Sequence, residues 1–239
     1  MKTVLVTGAT RGLGLAITKR LAKENYRIVG VGRNPSEGFK SIVAEFSSVV
    51  FEPFDLAETE KIHDWVRELG QRHGRFFGLV NNAAVGIDGV LATMHERDIE
   101  RALALNLQSP IVLTKYVVRS MLMGGEGRIV NISSIIASTG FNGLSVYAAS
   151  KAGLIGFSRS LARELGKAGI TVNCVAPGYM ETEMTQSITS ERLETIKRRS
   201  PTGRLATAAD VAGAVAYLMG DDGKMVTGTT VTVDGGSTA

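Results

Sequence analysis

The stretch that most restricts the fold of this chain stands at its start, where an apolar run, a glycine-rich turn and an amphipathic segment follow without a break. Residues 3–6 (TVLV) read as a short buried strand, GATRGLG as a turn, and 15–24 (LAITKRLAKE) as a helix with apolar residues at helical spacing. That order is the context a phosphate-binding turn needs. Gly8 permits a tight turn, and Gly12 and Gly14 let backbone and helix approach a ligand closely. The helix amino terminus then offers N–H groups and the positive end of its dipole to a diphosphate.

The same alternation continues to the end of the chain. Further strands are expected at 27–33, 49–54, 76–80, 129–132, 169–178 and 229–236, with helices at 58–73, 95–122, after Tyr147 and at 210–220. Trp65, flanked by Ile62, Val66 and Leu69, reads as core. The spacing over 95–122 predicts one long helix, kinked where Pro110 removes a backbone hydrogen bond. No linker, composition break or repeat divides the molecule. The reading is one α/β domain over residues 1–239: a doubly wound parallel sheet of about seven strands with helices on both faces. Its ligand crevice should lie at the strands' carboxyl ends. Residues 181–204 shift to a polar, Met- and Ile-containing composition and are expected to form a substrate lid. The run Lys197-Arg198-Arg199 inside it reads as a solvated face.

Composition excludes other classes. Of 239 residues, 44% are hydrophobic and 21% charged, ordinary for a soluble globular protein. No apolar run approaches the roughly 18 residues that span a membrane, and no signal or transit segment is visible. Cys174 is the single cysteine, so no internal disulfide forms, which suits a reducing cytoplasm. The net charge of +4 is dispersed, which argues against nucleic acid. His63, His73 and His95 stand apart, and no metal site is expected.

Chemistry concentrates at the predicted strand ends. Tyr147 and Lys151 are four apart at the start of a helix, on one face and about 5–6 Å apart at Cβ. An ammonium so close should pull the phenol towards working pH, making it a proton donor or acceptor for a hydroxyl or carbonyl oxygen. A serine ending the preceding strand can polarise that oxygen. Alone, Y-x-x-x-K reads more readily as an ordinary surface pair, with the serines capping a helix. After the second strand, the position where NAD enzymes place a carboxylate is Gly32, followed by Arg33. With Arg11 from the glycine loop, two guanidinium groups suit a ribose 2′-phosphate; the plainer reading leaves Arg33 solvated.

Taken together these residues resemble the short-chain dehydrogenase/reductase family. Thr7, Gly8, Gly12 and Gly14 match T-G-x-x-x-G-x-G, and Ser134 stands thirteen residues before Tyr147, as the catalytic serine does in that family. The resemblance covers nearly the whole chain and implies a Rossmann fold and a dinucleotide cofactor. It implies catalytic roles for Ser134, Tyr147, Lys151 and Asn106, the last supporting a proton relay through the lysine. Cofactor contacts are implied for Gly8, Thr10, Arg11, Gly12, Leu13, Gly14, Arg33, Asp55, Leu56, Asn82, Ala83, Ala84, Tyr147, Lys151, Pro177, Gly178, Met180 and Thr182. Asp55 reads both as an adenine contact and as an N-cap of the helix from Glu58. Ala84 departs from the family's Asn-Asn-Ala-Gly, adding a methyl beside the ribose.

The strings VYAASKAGLIGF and VDGG look most like 3-oxoacyl-acyl-carrier-protein reductases. The implied function is NADP(H)-dependent ketone reduction in the cytoplasm by a homotetramer, with acyl carrier protein as a possible partner. Small ketones, diketones, sugars and steroids are the alternative substrates, and a silent dinucleotide-binding protein is the alternative class. An enoyl reductase would separate Tyr and Lys by six residues rather than three. An extended sugar-nucleotide epimerase needs a longer carboxyl-terminal domain.

Overall fold

The computed structural model describes residues 1–180, 194, 197, 198 and 200–239. Strand β1 (Thr3–Thr7), buried at every residue, leads through the glycine turn into helix α1 (Gly12–Lys23). Next come β2 (Arg27–Gly32), α2 (Glu37–Glu45), β3 (Val49–Pro53), α3 (Ile62–His73) and β4 (Phe76–Asn81). The chain continues with α4 (Glu96–Leu103), α5 (Ser109–Gly124), β5 (Gly127–Ile132), α6 (Ile136–Thr139), α7 (Ser145–Leu165) and β6 (Ile170–Pro177). Helix α8 (Ala208–Met219) and β7 (Thr230–Val233) close it.

The seven strands form one sheet in the order β3-β2-β1-β4-β5-β6-β7, every pair parallel. This is the doubly wound sheet expected. Its order reverses between β1 and β4, which opens a crevice above their carboxyl ends. Ile17, Leu21, Phe39, Val211 and Val215 bring α1, α2 and α8 onto one face. Ile62, Trp65, Leu69, Leu113, Val117 and Leu165 bring α3, α5 and α7 onto the other. Trp65 is core, as read, its ring stacked on Phe54 with centroids 4.1 Å apart.

Three local expectations change. The long helix is not continuous: a π-turn, Ala104–Gln108, interrupts it, and Pro110 sits in the first turn of α5. Proline has no N–H to give the Asn106 carbonyl one turn earlier, so the wider turn is placed where an α-helical bond is unavailable anyway. Asp55 does not cap a helix, because α3 starts only at Ile62 after a 3₁₀ turn, Thr59–Lys61. Its carboxylate instead accepts from the Ala57 N–H at 3.0 Å. Helix α2, not singled out from sequence, is capped by Ser36, whose hydroxyl accepts from the Phe39 N–H at 3.1 Å. The same hydroxyl donates to the Thr10 carbonyl, tying α2 to the glycine loop. Serine before Glu37 in NPSEGF was the readable signal.

Candidate active site

The glycine loop lies at the sheet's switch point, and each glycine is there for a different reason. Gly8 and Gly12 have φ of +61° and +52°, a conformation that costs other residues energy. Gly14 needs its bare Cα because a Cβ there would overlap the Gly8 carbonyl and the Asn82 side chain. Around Gly12 a Cβ would meet nothing within 4 Å, so the loop leaves open space before the helix. Among the described residues no side chain caps α1, and its first turn carries no acid. These features fit a dinucleotide diphosphate: open space, uncapped N–H groups and a positive dipole end.

Asn82 and Thr7 hold β1 and β4 together beneath this loop. The Thr7 hydroxyl accepts from the Asn82 and Ala83 N–H groups at 2.9 and 3.0 Å. The Asn82 amide in turn donates to the Thr7 and Gly8 carbonyls at 2.9 and 3.2 Å. Asn82 thus shapes the loop, and Thr7, a motif position given no role from sequence, is the acceptor it depends on. Arg33 is exposed just past β2, while Arg11 stands at the N-cap of α1. Asp55 follows β3, and Leu56 turns into the core. Pro177 and Gly178 end β6; a Cβ at Gly178 would come within 2.5 Å of Asp234, so that glycine is also fixed by packing on the closing strand. Met180, partly buried, packs against the core cluster on the face that α1, α2 and α8 cover. Thr182 lies outside the described residues, as does most of the expected lid at 181–204; its end is anchored where Ser200 donates to the Gly235 carbonyl at 2.9 Å. Lys197, in the basic run, pairs with Glu194 at 3.0 Å.

Ser134, Tyr147 and Lys151 converge above β5. Ser134 follows the strand, accepts from the Ile136 N–H at 3.2 Å and stands near enough to the Tyr147 phenol to lower its pKa. Lys151 is 2% exposed, its ammonium 5.7 Å from the Tyr147 ring centroid and donating to the Ile132 carbonyl at 2.9 Å. Burial lowers its pKa to about 8, partly offset by the Cys174 thiol beside it. For Tyr147 the expected downward pull is not found. Burial raises the phenol above its usual 10.0 and the nearby Ser134 side chain lowers it, while the ammonium, turned to Ile132, does not act on it. The correction has a plain cause: a desolvated phenolate loses more than one neighbouring hydroxyl returns. Tyr147 is therefore a protonated group near neutral pH.

Asn106 is fully buried within the π-turn. Its amide makes a reciprocal pair with Val85, accepting from the N–H at 2.8 Å and donating to the carbonyl at 2.9 Å. A longer bond of 3.4 Å reaches Ser150, whose hydroxyl donates to the Tyr147 carbonyl at 2.7 Å. Its side chain thus joins the loop after β4 to α7.

A doubly wound sheet with serine, tyrosine and lysine gathered beside a glycine cradle defines a class, and the chain belongs to the short-chain dehydrogenase/reductase family of oxidoreductases. Residues 8–238 match the family model described as enoyl-(acyl carrier protein) reductase. The chain is 38% identical to the 3-oxoacyl-(acyl-carrier-protein) reductase FabG of Haemophilus influenzae over 98% of its length and 97% of that protein's. Nodulation protein G of a Rhizobium species is 40% identical, covering 98% of this chain and 96% of its own. A crystal structure of a dehydrogenase/reductase from Sinorhizobium meliloti superposes with a TM-score of 0.91 at 36% identity, covering 100% of this chain and 95% of its own. Among the described residues no helix is long and apolar enough to cross a membrane.

Proposed function

We propose that this chain is an NADPH-dependent reductase that converts a ketone to a secondary alcohol, with a 3-oxoacyl thioester as its first-choice substrate. The observation that carries the reading is the grouping of Ser134, the buried Tyr147 and the buried Lys151 one turn on, at the end of β5 beside the glycine cradle. A nicotinamide held beside the glycine cradle would supply hydride for the carbonyl carbon. The hydroxyls of Ser134 and Tyr147 hold the carbonyl oxygen, and Tyr147, kept protonated by burial, gives it the proton. Lys151 holds the ribose side of the site and restores the proton, its lowered pKa making proton exchange near neutral pH easier. Asn106 keeps the loop after β4 and the start of α7 in register. Arg11 and Arg33 favour a 2′-phosphate. FabG relatives support the thioester, and a cytoplasmic tetramer accompanies the same reading.

The family model's printed description, enoyl reduction, is the second reading. Two hydroxyls converging on one oxygen suit a carbonyl better than a carbon–carbon double bond, and three residues, not six, separate Tyr147 from Lys151. The test follows loss of NADPH absorbance with a 3-ketoester and with an enoyl thioester. We expect turnover on the ketoester and a fall of about 10²–10⁴ in Tyr147→Phe. Arg33→Ala should reduce the preference for NADPH over NADH by about tenfold. It is a cleaner variant than Gly32→Asp, whose Cβ would stand 3.0 Å from the Thr10 methyl. Near-normal turnover in Tyr147→Phe overturns the assignment of the acid; turnover on the enoyl thioester alone moves the chain to the second reading.

A further inference from the structure

Five buried polar residues form one row across the sheet beneath α7. Asn81, Asn131 and Cys174 are register partners on β4, β5 and β6. Thr114 of α5 and Ser158 of α7 close over them, and none of the five is more than 3% exposed. Asn81 Nδ2 donates to Thr114 Oγ1 at 3.0 Å and to Asn131 Oδ1 at 2.7 Å. Asn131 Nδ2 donates to Ser158 Oγ at 2.7 Å, and Cys174 Sγ donates to the same oxygen at 3.1 Å. The Ser158 hydroxyl in turn donates to the Leu154 carbonyl at 2.7 Å. Its hydroxyl is thereby used in full: one donor and two acceptor sites.

The row adjoins the proton-transfer pair. Ser158 lies seven residues, about two turns, beyond Lys151 on the same helix face. Asn131 immediately precedes Ile132, whose carbonyl takes the Lys151 ammonium. One residue further, Ser133 donates to the Lys151 carbonyl at 3.0 Å. Helix α7 is thus tied to β5 at two levels, one at Lys151 and one at Ser158. The other buried residues of this stretch of α7, Leu154, Ala162 and Leu165, are apolar, and apolar contacts have no preferred direction to stop a helix sliding. Buried polar groups are seldom the most stable filling for such a site. Here the row even leaves Asn81 Oδ1 without a partner among the described residues.

We propose that Asn131 and Ser158 are positioning residues: their hydrogen bond sets the height of α7 on β5, aiming Lys151 at the Ile132 carbonyl and Tyr147 at Ser134. This rests on the reading of Tyr147 and Lys151 as the proton-transfer pair. Single truncation at Ser158 would orphan the Asn131 amide and mix stability with positioning. The double variant Asn131→Val/Ser158→Ala removes both partners of the bond, and Asn81 keeps Thr114. We expect it to melt within a few degrees of the parent protein while kcat falls about 10–100-fold at little-changed KM. The limb of the kcat pH profile that titrates with Lys151 should move as well. Should the double variant melt far lower, Ser158→Cys, which keeps a weak donor and acceptor, must show a smaller fall in kcat at constant KM. Parental kcat and pH profile in whichever variant is folded overturn the proposal. Lys151→Ala is the control: its inactivity beside a parental double variant sinks the positioning role alone, whereas normal turnover in Lys151→Ala removes the proton-pair reading itself.

Discussion

Lys151 carries its charge into a place where burial opposes it, and the linkage to stability has a definite sign. Its pKa falls from an ordinary 10.5 to about 8 in the folded chain. Between those values the unfolded chain binds more protons than the native one, so this residue makes stability rise with pH across that window. Cys174 and Tyr147, both raised by burial, act oppositely: the native state holds their protons longer, and stability falls as pH climbs past their ordinary 9.0 and 10.0. A melt of the unaltered protein mixes the three. Lys151→Met separates them. The stability of the unaltered protein relative to this variant should grow by on the order of 3 kcal/mol from about pH 7 to about pH 10. Urea unfolding at the two pH values measures it, and a difference that does not change with pH contradicts a buried, depressed lysine. The Tyr147–Lys151 spacing was legible from sequence. The balance of pKa shifts was not, because it depends on how many atoms from other elements cover each group.

At the scale of elements, the glycine turn and the π-turn show where pattern reading succeeds and where it stops. Three glycines at fixed spacing announce a close turn, yet the turn does not reveal which glycine is strained and which is crowded. Gly12→Ala meets open space and only the left-handed backbone, so it should cost about 1–2 kcal/mol. Gly14→Ala has an ordinary backbone but collides with the Gly8 carbonyl and Asn82; it should cost at least about 3 kcal/mol. Thermal unfolding of the two cofactor-free variants checks the ranking, and an equal or reversed order means that the loop relaxes around the new methyl. The break in the long helix was marked in sequence by Pro110, but its form was not. The wider turn holds Asn106, whose partner Val85 lies in another loop that the local pattern does not reveal.

For the whole molecule, the sheet's polarity decides how a carrier protein can approach. An acidic carrier protein would need basic residues at the active-site mouth, and the loop before β5 and the end of α7 are two places where they could stand. Those loops do meet: a Cβ at Gly169 would stand 2.6 Å from the Gly125 carbonyl. They meet at the wrong end. Helix α7 runs back down the sheet, so Lys167 lies about 30 Å from Tyr147, estimated from helix rise. Arg128 is only 5% exposed, with its guanidinium over the Phe77 ring, and offers nothing to a partner. Arg163 and Lys167 remain exposed, but far from the mouth of their own chain. We therefore expect kcat/KM for carrier-protein and CoA thioesters of one chain length to differ by less than about tenfold. That ratio should change little between low and physiological salt. A steep loss with salt for the carrier thioester alone would show that a basic surface steers it.

The sequence by itself determined the doubly wound sheet, the glycine turn and the one-turn spacing of Tyr147 and Lys151. These follow from periodicity, turn chemistry and short spacings, which act over a few residues and survive any arrangement of the rest. Ser134 and Asn106 were singled out only by the resemblance to the family. Tertiary structure alone decided what those residues do to one another. It turned the Lys151 ammonium to Ile132 and kept Tyr147 protonated. It set Asn82 to holding the glycine loop, and it put Asn81, Asn131 and Cys174 in one row under Ser158. The reason is physical. Burial and hydrogen-bond partners come from elements distant in the chain, and only parallel pairing of β4, β5 and β6 brings them within reach.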